Sequence, residues 1–329
     1  MNRVVKRIFV RREFLLLIFI AVVIILIGFR SDYFLTLKNL DGLLANSSVA
    51  IIMAAGMTIL FVSGGFDLST GNHLSFIGIL LGILLGNGVP LPAAIVICLI
   101  MGMIDGLIIG VLVSKFKIEP FIVTLGAMYI FRGVAFLAGN SSKVKATLTT
   151  PSFSGFQESF LKISQGRLFS IETINYYMLV IVIIFTLFLA KNAFFRKNFY
   201  VGGNESSARL AGIKVDFLKI FNYTLVSFMV AVAAILRTSR LGVASATSGG
   251  ESLGMTIIAG TIVGGASLRG GSGSIIGSML GIFLIMLINN GITILGINPV
   301  YSQIAVGLIL LVSVLIDEVA KKPGFRSRK

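Results

Sequence analysis

The chain has no tryptophan, one cysteine, one histidine and only 13 acidic residues among its 329. A lone cysteine, Cys98, excludes a disulfide framework within the chain and a thiolate metal cluster. A single histidine beside it leaves too few ligands for a zinc site. Charged residues make up 12% of the sequence, about half the ~25% typical of a soluble domain. A phosphate loop is also missing: GGSGSIIGS at 270–278 has the glycines but no lysine and no strand–turn–helix context. No acid–base pair or Ser-His-Asp pattern suggests an enzyme embedded in the membrane. Nothing in this chain therefore binds or hydrolyses a nucleotide, and no cofactor is expected in it.

What is present is apolar. Hydrophobic residues reach 56% and the mean hydropathy is +0.99. Apolar runs recur at about 17–25 residues, the length that crosses a bilayer as a helix. The sequence predicts an all-α polytopic membrane protein, one transmembrane domain over 1–329 with no separate soluble part. The first run, Leu15 to Phe29, leads into Arg30-Ser31-Asp32-Tyr33 rather than a small-residue cleavage site, so it reads as a retained span. Ten spans are predicted at about 14–30, 43–62, 71–87, 90–114, 119–138, 174–193, 216–237, 251–268, 273–296 and 300–317.

Lysine and arginine orient them. With ten crossings both basic termini face the cytoplasm, together with Lys115 and Lys117, the stretch from Lys191 to Lys219, and Arg269. The net charge of +15 then belongs to cytoplasmic loops and anionic headgroups rather than to nucleic acid. Two connections are long: an outer loop at about 139–173, able to fold as a small cap, and a cytoplasmic one at about 194–215. In the latter, Glu205 to Ile213 reads as a short helix capped by Asn204 and stopped at Gly212. A solvated connector and a docking element are equally good readings of it.

Glycine is clustered. Gly64, Gly65 and Gly71 follow the second span in SGGFDLSTGNH (63–73), with Ser63, Asp67, Ser69 and the only histidine, His73. Gly264, Gly265, Gly270, Gly271, Gly273 and Gly277 fall around the eighth and ninth. Small residues let helices approach closely, and let them break where the freed backbone faces protein or water. The two clusters together read as broken helices at a moving or pore-lining junction, and their likeness suggests two related halves. Asp67 and Ser69 are expected to cap the third helix, making 63–71 a hinge at the cytoplasmic side. His73 reads most simply as an interfacial residue bonded to backbone. Asp105 and Arg132, within spans four and five, are expected to pair with each other. So few intramembrane carboxylates argue against an ion-coupled carrier. Asn289 and Asn290 in the ninth span are candidates for a hydrophilic path, with helix–helix hydrogen bonding as the alternative.

SGGFDLSTG (63–71), KIEPFIVTLGAMYIFRGVAFL (117–137), FYVGGNESSARLAGIKV (199–215), GGASLRGGSGSIIGSMLG (264–281) and LINNGITILGINPVYSQIAVGLILL (287–311) occur in this order. Together they resemble the membrane subunits of ribose-type monosaccharide importers of the ATP-binding-cassette class. That family also includes galactoside, xylose, galactofuranose and autoinducer-2 permeases. The resemblance implies ten helices in a fold similar to vitamin B12-type importers, in a bacterial inner membrane. It implies a second permease subunit, alike or different, a cytoplasmic ATPase that binds ATP and magnesium, and a periplasmic or lipid-anchored sugar-binding protein. It assigns coupling to that ATPase to the matching segment, with Gly202, Gly203, Asn204, Glu205, Ala208, Arg209 and Gly212. In two places the sequence departs from the family: a Glu-Leu-Asp triplet common there is Gly254-Met255-Thr256 here, with Glu251 displaced, and His73 stands where a small residue is more usual.

Overall fold

The computed structural model describes residues 12–141 and 152–321. The N-terminal arginines and lysines before Arg12, Lys143 and Lys145 of the outer loop, and the basic tail after Lys321 lie outside the described residues. Thirteen helices are present among the described residues. The first five are α1 (Arg12–Gly28), α2 (Leu37–Val62), α3 (Thr70–Gly86), α4 (Leu91–Ser114) and α5 (Pro120–Ser141). After α5 follow β1 (Ser152–Ser154), α6 (Glu158–Gln165), β2 (Arg167–Leu168) and β3 (Ile171–Glu172). Then come α7 (Thr173–Lys191), α8 (Ala193–Gly203), α9 (Glu205–Leu210), α10 (Val215–Leu241), β4 (Val243–Ser245), α11 (Gly250–Val263), α12 (Ile275–Ile294) and α13 (Val300–Lys321).

Six helices, α2, α4, α5, α7, α10 and α12, are long and apolar enough to cross a bilayer, and α3, α11 and α13 contribute shorter apolar stretches. The chain is an all-α polytopic membrane protein. Each predicted span overlaps one helix; the second begins six residues earlier than predicted, at Leu37, and the eighth is the one that differs most at its end. It ends at Val263 rather than near residue 268, because Gly265 turns the chain at φ +101°.

Helix α2 is the axis of the fold. Every residue from Ser47 to Val62 is buried, so it is apolar on all sides, as expected of a helix enclosed by others. Helices α7, α10, α11 and α12 pack around it. The closest pairing is α4 with α10. Gly102, Gly106 and Gly110, spaced one helical turn apart, turn one face of α4 towards α10. A Cβ at Gly106 would come within 2.6 Å of the Tyr223 carbonyl, and one at Gly110 within 2.9 Å of the Ile220 Cα. Without side chains in the way the backbones approach directly, which gives dispersion contacts that lipid cannot offer.

Helix ends follow local chemistry. Thr36 accepts from the Asn39 amide at the start of α2, Ser274 from the Gly277 amide at α12, and α10 stops at Gly242, φ +65°. The described part of the 139–173 connection packs against one end of the bundle: β1 pairs antiparallel with β4 (Ser152 opposite Ser245), and β2 with β3. Ion pairs tie this part down, Arg240 to Glu172 at 2.6 Å and Arg167 to Asp41 at 3.4 Å.

Candidate functional site

Three glycine motifs far apart in sequence meet at one point. The turn after α2 brings Gly64, the end of α8 brings Gly202, and the loop after α11 brings Gly270. A Cβ on Gly270 would lie 2.7 Å from the Gly202 Cα and 3.0 Å from the Gly64 Cα. One on Gly202 would lie 1.9 Å from the Val62 carbonyl oxygen. That oxygen accepts from the Gly271 amide at 2.9 Å, joining the two helix breaks by their backbones. Gly264 and Gly277 fit α11 to α12 in the same manner, each Cβ position within 2.3 Å of the other's carbonyl oxygen. Gly273 lies against the Val62 side chain.

Beside this junction sits α9. Asn204 accepts from the Ser207 amide as its cap, and Gly212, φ +80°, turns the chain after it. Glu205 accepts from Arg209 at 2.8 Å and from Lys219 of α10. Arg209 also reaches Asp216, which Lys117 of the α4–α5 turn meets at 3.0 Å. Partial burial pushes the Glu205 carboxyl upward, but hydrogen bonds and charges from Lys219 and Arg209 outweigh it and hold it below the usual glutamate range. Ala208 is buried against Val201, Val215 and Leu218. Helix α8 was not expected from the sequence, where FFRKNFYVGG looks like a connector. The signal is the asparagine at 192, whose side chain accepts from the Phe194 amide and starts a new helix.

From the junction, residues 65–69 climb into the bundle. Tyr223 donates to the Phe66 carbonyl at 3.3 Å, Asn72 to the Met128 carbonyl near the middle of α5 at 3.3 Å, and Gly71 packs on Gly250 at the start of α11. Ser63 to Gly65 thus lie at the glycine junction, whereas α3 begins among buried residues. Asp67, Ser69 and His73 are fully buried. The expected cap is not formed by Ser69, which makes no side-chain bond to the helix; Asp67 instead accepts from both the amide and the hydroxyl of Ser69.

The expected Asp105–Arg132 pair is replaced by two others. Asp105 faces α3, where its Oδ2 lies 3.0 Å from His73 Nε2, and the imidazole stacks on Phe131 with ring centroids 4.4 Å apart. His73 is therefore a buried side-chain partner, not an interfacial residue bonded to backbone. Arg132 reaches Glu251 of α11 at 2.9 Å. Helical phase is the reason: Asp105 and Arg132 sit on faces aimed at different helices, and each finds a nearer opposite group there.

Glu251 lines a groove of about 550 Å³ between α11, α12 and α13, with Ser252, Thr256, Asn289, Ser302 and Gln303 among its walls. The side-chain oxygen of Asn289, a residue of this wall, is buried without a hydrogen-bond partner. Its neighbour Asn290 is engaged elsewhere, exchanging amide hydrogen bonds with Asn39 of α2 at 3.0 and 3.2 Å. Among the described residues no group of three acidic, histidine or cysteine side chains could hold a metal ion.

Apolar helices interrupted at paired glycine turns, a polar groove between α11, α12 and α13 and a charged segment joined to both turns suit a membrane transport protein. Comparison with known proteins agrees. Residues 39–314 match the family described as the permease component of branched-chain amino acid transport systems, and the chain belongs to that family. It is 33% identical to the ribose import permease protein of Escherichia coli K12 over 304 residues, 92% of each chain. To the ribose import permease protein of Bacillus subtilis it is 33% identical over 296 residues, 90% of this chain and 89% of the other. An autoinducer 2 import system permease protein of Escherichia coli HS is 30% identical over 306 residues, 93% of this chain and 86% of that one. No solved structure matches the chain. The protein is a transport subunit of a membrane importer.

Proposed function

We propose that this chain is the membrane subunit of an ATP-driven importer that carries a monosaccharide, ribose or a related simple sugar, across a bacterial inner membrane. Similarity to ribose import permeases over about nine-tenths of both chains is the observation that carries the reading. Ten helices, α1 to α5, α7 and α10 to α13, would sit in the membrane in a vitamin B12-type arrangement. Two permease subunits, alike or different, enclose the path; a cytoplasmic ATPase binds ATP and magnesium, and a periplasmic or lipid-anchored binding protein delivers the sugar.

The segment from Gly202 to Gly212 is the part that meets the ATPase. Its small helix α9 is exposed around Leu210, yet it is tied by Glu205 and Arg209 to α10 and, through Asp216, to the α4–α5 turn. Gly202 touches both helix breaks at once, so a displacement of α8–α9 reaches α3 and α11 together. Interiors this closely packed transmit displacement rather than absorb it. The groove that holds Asn289 supplies amides and hydroxyls to a sugar that must be held weakly enough to leave.

Replacing Glu205 and Gly212 in the reconstituted complex tests the coupling. Sugar-stimulated ATP hydrolysis should fall sharply, and unchanged stimulation would overturn the assignment. Competition of labelled ribose uptake by autoinducer 2 separates the two substrate classes that the relatives name.

A further inference from the structure

We propose that the Arg132–Glu251 ion pair is the specificity-determining element of the groove, keeping its mouth electrically neutral so that it passes neutral polyhydroxy compounds and does not retain sugar acids or sugar phosphates. This rests on the reading of the groove as the transport path.

Arg132 sits just past the midpoint of α5 (Pro120–Ser141), among exposed apolar neighbours such as Tyr129 and Ile130. Its side chain is 52% exposed and that of Glu251 49%. A charge at this depth is costly against lipid and is found facing protein or water. Glu251 opens α11 and lines the groove wall that also carries Ser252, Thr256, Asn289 and Gln303. That wall offers donors and acceptors suited to hydroxyl groups, and its one charge, Glu251, is met by Arg132 from α5.

An arginine alone at such a site would bind a carboxylate or phosphate in a bidentate grip, and a transport path that binds tightly does not release. Glu251 occupies the guanidinium and cancels its field. Glu251 also lies in the first turn of α11, where an acidic group complements the positive helix end. A role confined to that would leave the charge preference of the groove unchanged by substitutions at Arg132.

Thiol accessibility in membranes tests this, independently of sugar transport. In a Cys98→Ala background, Gln303→Cys is reacted with an anionic and a cationic methanethiosulfonate reagent. With the pair intact, the two rates should be comparable. Glu251→Gln should raise the anionic-to-cationic rate ratio, and Arg132→Gln lower it, by about an order of magnitude each. Leu308→Cys, outside the groove, should show no such change. Ser302→Cys serves as a second reporter should Gln303→Cys fail to fold. A ratio unmoved by either substitution, or no reaction at both reporters, overturns the proposal. Loss of ATP-driven uptake in the parent complex would instead count against the transport reading.

Discussion

Replacing Gly202 by alanine puts one methyl group where three chain segments meet. The added Cβ would stand 1.9 Å from the Val62 oxygen, 2.5 Å from the Gly271 nitrogen and 3.0 Å from the Gly270 Cα. All three are backbone atoms, so no side chain can swing aside, and the segments must part by about 1 Å or more. Overpacking of this kind costs ~1–3 kcal/mol. Stretching the Gly271-to-Val62 hydrogen bond adds ~0.5–1.5 kcal/mol, for a total of about 2–4 kcal/mol. Gly203 is the internal control, because a Cβ there meets nothing within 4 Å. Thermal unfolding of the purified protein and sugar-stimulated ATPase of the complex are the assays. Gly202→Ala should lower both clearly, while Gly203→Ala, which adds no clash, should leave the melting temperature near the parent. Equal behaviour of the two variants would refute the convergence of the three motifs.

The remaining predictions concern polar pairs. Asp105→Leu strands the His73 ring in the interior and should destabilise by ~1–3 kcal/mol; the double variant with His73→Leu should recover part of that loss in a thermal-melt cycle. Asn290→Leu removes the bonds to Asn39 and should cost ~0.6–2 kcal/mol of stability with uptake retained. Asn289→Leu should do the reverse, impairing uptake with little effect on melting. Because the Glu205 carboxyl is held below its usual range, its ion pairs stabilise the α9 region above the unfolded-state value of about 4.3 and are lost as pH falls through the lower folded value. Hydrogen exchange of residues 205–213 should therefore show constant protection of α9 between pH 8 and 5, and Glu205→Gln should speed exchange there at pH 7.

Hydropathy located the helices well because bilayer thickness imposes a length that any apolar run reveals. It also located α9, since Asn204, Glu205 and Gly212 are local signals that act within one turn. Depth was harder to read. SGGFDLSTGNH reads as a hinge at the cytoplasmic side, because nothing in its composition says that Asp67 and Ser69 are fully buried or that Tyr223 of α10 holds the Phe66 carbonyl. Ion-pair partners were illegible for a related reason: whether Arg132 meets Asp105 or Glu251 depends on the rotational phase of three helices. The glycine clusters were visible as clusters, but their meeting with Gly202 is a long-range contact, across 138 residues from Gly64 and 68 from Gly270. Asn289 and Asn290 are adjacent in sequence, yet one turn angle sends them to a groove and to a helix seam.

The central claim is that transport through this chain is driven by ATP hydrolysed on a partner. Proteoliposomes holding the chain with its ATPase, supplied with binding protein and labelled ribose outside, measure it directly. Uptake should require ATP at the cytoplasmic face and should vanish when the ATPase is left out. Uptake by the chain alone under a proton or sodium gradient, without ATP, would contradict the account.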